Sequence, residues 1–163
     1  MGAGKSSVGK YLAQQLHMEF FDIDEEIEKR TGVDIGWIFD IEGEEGFHKR
    51  ETAILNELTQ LSGIVLATGG GSVIEDENRD MLKSRGTVVY LQVSLPLQQR
   101  RTMNESRRPL LRVQNRNDII DKLHEEREPI YRNLADIYVE TDQRSVRLVT
   151  DDIIYWLNKK RSK

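Results

Sequence analysis

Four short runs of strand length alternate with longer amphipathic stretches along this chain, and that alternation restricts the fold more than any other feature. The runs are Phe20-Phe21-Asp22-Ile23-Asp24, Ile64-Val65-Leu66-Ala67-Thr68, Thr87-Val88-Val89-Tyr90-Leu91 and Ile137-Tyr138-Val139. Between them apolar residues recur at helical spacing. Val8, Tyr11, Leu12 and Leu16 place a helix over about residues 5–16, and 24–30 and 34–41 read as shorter helical pieces. Phe47, Ile54, Leu55, Leu58 and Leu61 mark a longer helix over about 44–61, and further helices fall near 77–84, 118–134 and 145–159. Strands separated by helices pair in parallel, with the helices covering both faces of the sheet. The expectation is therefore an α/β domain of three layers, α/β/α.

A length of 163 residues suits one domain, taken here as residues 1–163. The formal net charge of −4 argues against a general nucleic-acid or anionic-membrane surface. There is no cysteine, so disulfides and thiolate metal sites are excluded. The apolar runs are strand-sized, too short to span a bilayer, and no basic segment leads into an apolar one near the start. A cytoplasmic monomer is expected.

The chemistry-bearing residues cluster where strands end. Gly2-Ala3-Gly4-Lys5-Ser6-Ser7 matches the back half of the phosphate loop G-x-x-x-x-G-K-[ST], and a helix follows it directly. Backbone N–H groups at a helix N-terminus attract phosphate, the lysine reaches its outer oxygens, and the serine hydroxyl suits Mg²⁺. On its own the match is also compatible with an incidental Gly-Lys-Ser. Asp22 and Asp24 end a strand, at the sheet edge where ligands bind in open parallel sheets; Asp24 could equally cap the helix it precedes. Gly69-Gly70-Gly71 follows another strand and offers either a close backbone approach to a ligand or a flexible turn. Arg100, Arg101, Arg107, Arg108, Arg112 and Arg116 gather around a polar excursion at 104–117, read either as a solvated basic face or as a lid closing on phosphates. Arg127 lies among glutamates, where a surface ion pair is the plain alternative. His17, His48 and His124 lack metal-ligand spacing.

In order and spacing these pieces resemble the shikimate kinases, small P-loop kinases related in fold to nucleoside monophosphate kinases. The similarity covers essentially the whole chain, through MGAGKSS, FFDIDEEIEKRTG, IFDIEGEEGF, VLATGGGSV, VVYL, RRPLL, EEREPIY and the Thr-Asp after the last strand. The resemblance implies ATP-dependent phosphorylation of the 3-hydroxyl of shikimate, with Mg²⁺ as cofactor, in aromatic amino acid biosynthesis. It implies that Gly2, Ala3, Gly4, Lys5, Ser6 and Ser7 cradle the phosphates, with Lys5 on the transferred group and Ser6 on Mg²⁺. Asp22 would hold the metal through water, and Asp24 would grip the shikimate hydroxyls and take a proton. Gly69, Gly70 and Gly71 would support the ring, and Arg127 would hold its carboxylate. Arg108 would be the lid arginine on the phosphates, and Arg101 and Arg144 would flank the adenine. Another small-molecule kinase of the same fold, such as a gluconate kinase, and an inactive ligand-binding relative are the alternatives.

Two departures from the family pattern stand out. The family's G-x-x-x-F-R stretch carries an arginine where this chain has His48, which places a titratable imidazole at the substrate carboxylate. The family also carries a central strand before the phosphate loop. The expectation from this is a chain short of its native start by one strand and the loop's first glycine.

Overall fold

The structure is a computed structural model that describes residues 2–103 and 115–161. Among the described residues eleven elements follow one another: α1 (Lys5–Leu16), β1 (Glu19–Asp22), α2 (Ile23–Thr31), α3 (Ile35–Leu58), β2 (Ile64–Ala67), α4 (Asp76–Arg85), β3 (Val89–Gln92), α5 (Leu95–Thr102), α6 (Arg116–Leu134), β4 (Ile137–Glu140) and α7 (Val146–Arg161). Helices and strands alternate as expected, and every strand pair is parallel. β1 pairs with β2 in the register Phe20 to Val65 and Asp22 to Ala67. β3 pairs with β4, Val89 lying opposite Ile137.

Two cores flank the strands. Val8 and Leu12 of α1 pack with Leu91, Val139, Val149 and Ile153, and Val65 and Val89 lean on the same cluster. On the other face Ile23, Ile27, Ile38, Phe47, Leu55 and Leu58 form the second core, with Phe21, Ile64 and Leu66 against it. Neighbouring residues on β2 thus point into opposite cores, as a strand's alternation requires. The layers are those expected, but the strands are divided. Among the described residues they form two pairs, β1–β2 and β3–β4, with no ladder between β2 and β3. Side chains join the halves instead, because α1 packs against both β2 and α7.

The two helical pieces expected at 34–41 and 44–61 are one element, α3, interrupted at Gly43, whose φ of 70° and ψ of −177° break the helix. Asp34 caps it by accepting from the Trp37 N–H at 2.8 Å. The helix α5 was not anticipated from the sequence, although Ser94 precedes it and a proline occupies its first turn. None of the described helices is long and apolar enough to cross a membrane.

Gly9 sets how closely α1 approaches β1. A Cβ on Gly9 would lie 2.5 Å from the Phe20 ring, closer than carbon atoms approach. Gly9→Ala should therefore destabilise the fold despite alanine's advantage of about 1 kcal/mol inside a helix. Overpacking of this kind costs roughly 1–3 kcal/mol. A thermal melt would show a Tm lowered by a few degrees, and Phe20→Leu in the same chain should restore part of it. An unchanged or raised Tm would mean that the ring yields without cost.

Candidate active site

Three segments meet at the C-terminal ends of β1 and β2. The first is the loop into α1. Gly2 and Gly4 take left-handed conformations, φ 68° and 84°, which curl the backbone before the helix. No side chain caps α1 and no acid occupies its first turn, so the positive end of the helix is not offset by its own carboxylates. Ala3 is buried in the core and anchors the loop. Lys5 and Ser6 are half-buried and Ser7 is exposed. Arg101 braces the loop from α5 by donating to the Gly2 carbonyl at 2.9 Å.

The second segment joins β1 to α2. Ser6 Oγ donates to Asp22 Oδ2 at 2.6 Å. The other oxygen, Oδ1, accepts from the Asp24 backbone N–H at 3.1 Å. Asp22 therefore caps α2, which corrects the alternative that gave the cap to Asp24. Released from that task, the Asp24 carboxylate lies beside the glycine loop, with Oδ1 3.7 Å from where a Cβ on Gly69 would stand.

The third segment is the glycine loop after β2. A side chain on Gly69 would strike Glu51 Oε1 at 2.6 Å, and one on Gly71 would meet His48 Cε1 at 3.0 Å. These glycines are close approaches rather than a slack turn. Tyr131 of α6 donates to the Gly70 carbonyl at 2.6 Å and ties that helix to the loop. One turn earlier, Arg127 is buried at 9% exposure, which excludes the exposed surface pair. Its Nη1 and His48 Nε2 each lie 3.8 Å from the same point over Gly71.

Glu51 is the residue that sequence reasoning missed. It is completely buried, accepts from Ser72 Oγ, and lies 2.9 Å from His48 Nδ1. The available signal was periodicity: Glu51 falls on the apolar stripe of Phe47, Ile54, Leu55 and Leu58. A carboxylate on a buried stripe needs partners. Its hydrogen bond holds the His48 imidazole above its ordinary value, with burial opposing and Glu44 adding to the rise. The stability gained from protonated His48 is thus full below about pH 6.5, the unfolded value. It is lost as pH climbs through the higher folded value.

The remaining expected residues divide. Arg101 stands beside the phosphate loop, and its charge helps hold Asp142 below the ordinary carboxylate value, an effect due chiefly to the Ser94 hydrogen bonds. Arg144 is engaged by Asp152 at 2.7 Å on α7. Arg108 lies outside the described residues. Arg116 donates to the Met103 carbonyl at 2.5 Å, a structural role. A separate cavity of about 450 Å³ between α2 and α3, lined by Val33, Trp37, Ile38 and Ile54, contains none of the expected site residues.

The donor set suits Mg²⁺ held jointly with a nucleotide. Among the described residues no group of three or more His, Cys, Asp or Glu gathers to hold a metal alone. Magnesium keeps several waters and uses one or two protein oxygens besides phosphate. Ser6 gives its proton to Asp22, which leaves the hydroxyl's lone pairs for a cation, and the Asp22 carboxylate is adjacent for a metal-bound water.

Comparison with known proteins agrees with this geometry. The family model described as shikimate kinase matches residues 1–158. The chain belongs to the shikimate kinase family. Shikimate kinases from Vibrio cholerae are 54% identical over 159 residues, covering 98% of this chain and 91% of theirs. The shikimate kinase of Vibrio parahaemolyticus is 54% identical over 160 residues, covering 98% of this chain and 93% of its own. Among solved structures, shikimate kinase from Acinetobacter baumannii in complex with shikimate superposes with a TM-score of 0.97. It is 46% identical and covers 100% of this chain and 91% of that one. The Aquifex aeolicus shikimate kinase gives a TM-score of 0.83 at 35% identity, covering 99% and 93%. The expected P-loop α/β fold of the shikimate kinases is therefore the fold of this chain.

Proposed function

We propose that the site transfers the terminal phosphoryl group of ATP to the 3-hydroxyl of shikimate, giving shikimate 3-phosphate for aromatic amino acid biosynthesis. The observation that carries this reading is the pair of hydrogen bonds that Asp22 accepts, from Ser6 of the phosphate loop and from the Asp24 N–H. It supports reading the loop as a phosphate cradle beside an acid that can orient an acceptor hydroxyl. Phosphoryl transfer needs positioning and positive charge more than covalent help. Gly2 to Ser7 hold the phosphates, and Lys5 follows the charge of the group in flight. Asp24 aligns the attacking hydroxyl and accepts its proton. Gly69, Gly70 and Gly71 form the floor under the ring, where Arg127 and His48 receive the carboxylate. Mg²⁺ brought with ATP would be held by Ser6 directly and by Asp22 through water, and would screen the phosphate charge. Arg108 is assigned the phosphate clamp, and Arg101 and Arg144 the adenine side. The working form is assigned as a cytoplasmic monomer.

A coupled ADP-release assay tests the reading. ADP should appear only when shikimate is added, and not with gluconate or a nucleoside monophosphate. ATP binding without shikimate-dependent turnover would leave an inactive relative, and gluconate-dependent release would identify a different kinase.

A further inference from the structure

The kink at Gly43 gives α3 two arms, and both arms line the cavity that opens against α2. Trp37, Ile38 and Glu42 come from the first arm, and Arg50, Ala53 and Ile54 from the second. Ile38 is completely buried and Ile54 nearly so, which makes the floor apolar, while the Trp37 ring stands half-exposed at the lip. A volume of about 450 Å³ falls in the range of small-molecule sites, which are mostly apolar with a few placed polar groups.

The charged groups at the rim differ in what holds them. Arg30, from the last turn of α2, donates to Glu57 at 2.7 and 2.9 Å and to Glu26 at 3.3 Å, and neither acid lines the cavity. Arg50 donates to Glu42 at 2.8 and 2.6 Å, and both members of this pair line the cavity. Their side chains are 42% and 30% exposed. An ion pair this wet contributes little to stability, so it opens at little cost. A ligand entering beside it satisfies both members only if it brings both charges. A lone carboxylate would leave Glu42 facing a second anion, and a lone ammonium would leave Arg50 facing a second cation.

We propose that this cavity binds an α-amino acid with a bulky apolar side chain. The ligand carboxylate takes the Arg50 fork, whose two parallel N–H groups match it, and the ammonium takes Glu42. The side chain lies over Ile38, Ala53 and Ile54, against the Trp37 ring. The exchange keeps every charge paired and covers an apolar floor that is otherwise open. The site is separate from the one at the glycine loop. Arg50 stands two residues from His48, so the two point about 200° apart around the helix. Asp24 lies in the first turn of α2, and Arg30 in the last. The proposal draws on none of the roles assigned to the phosphates or to the acceptor.

Titration of the full chain with L-phenylalanine, 3-phenylpropionate and 2-phenylethylamine tests this, followed by calorimetry and by Trp37 fluorescence. The chain has two tryptophans, and Trp156→Phe removes the other from the signal. L-Phenylalanine should change the Trp37 emission saturably. Each probe of single charge should bind roughly tenfold more weakly or worse, as expected for loss of one charge-assisted hydrogen bond. Glu42→Gln should weaken L-phenylalanine binding by about tenfold and abolish its advantage over 3-phenylpropionate. Arg50→Gln should weaken it as much and abolish its advantage over 2-phenylethylamine. A thermal melt would establish that both variants are folded. Absence of a saturable Trp37 change with L-phenylalanine would overturn the proposal. Equal binding of the three probes by the parent would do the same, as would a Kd that neither substitution moves. Should one variant fail to fold, the other and the parent's ranking of the probes decide the matter.

Discussion

Lys5→Ala is expected to lower kcat by about 10²-fold or more while leaving the fold intact. The lysine begins α1 at a left-handed Gly4, beside an uncapped helix end, where phosphate charge would collect. Charge spreads over the equatorial oxygens during transfer, so the loss falls on the transition state more than on bound ATP. Only part of the deficit should therefore appear as weaker ATP affinity. Lys5→Arg should not restore full activity, since a planar guanidinium cannot replace a compact ammonium in a curled loop. Circular dichroism and a thermal melt would establish that the variant is folded. Turnover within about tenfold of the parent would overturn the role assigned to this loop.

The second large effect is expected at Asp24. Asp24→Asn keeps the side chain's size and leaves the backbone N–H that Asp22 accepts, so α2 remains capped. What disappears is a negative acceptor for the hydroxyl proton. General-base contributions of this sort amount to roughly 10²–10⁴-fold. Turnover should drop by that order, while Kd for ATP, whose cradle is formed by another segment, should stay close to that of the parent. Single-turnover measurements at saturating shikimate would separate the chemical step from binding. A kcat that survives the substitution would mean that Asp24 only binds, or that solvent takes the proton.

How far the sequence discloses this architecture depends on whether the information is local. The bounds of α1 and β2 follow directly from periodicity and from the glycines beside them. The break in α3 was legible as two helical pieces, because Gly43 interrupts an otherwise regular pattern. The helix α5 carries a start signal in Ser94 and Pro96, but its few apolar residues give no clear stripe and its arginines read together with the polar excursion beyond. Glu51 was hidden for a deeper reason. It sits in a run of charged residues, where its place on the apolar stripe is the one local sign, and packing against Ser72 and His48 is what sets it apart from its exposed neighbours Lys49 and Arg50. Arg127 gave a similar hint: it stands seven residues from both Ile120 and Leu134, on the buried side of α6. The division of the strands into two pairs has no local signature, since pairing depends on which strands the rest of the chain brings side by side.

The bridge made by Asp22 has a consequence for how the two reactants meet. Its oxygens are split between Ser6, at the head of the helix that would carry the nucleotide, and Asp24, at the head of the helix that would carry the acceptor. A single short side chain thus acts as a ruler of fixed length between donor and acceptor. In-line attack tolerates little error in that spacing, because a displacement of about 1 Å can cost 10²-fold in rate. A glutamate at position 22 would keep the charge and both kinds of partner, yet add one methylene to the ruler. The two reactants would still bind, but out of gauge.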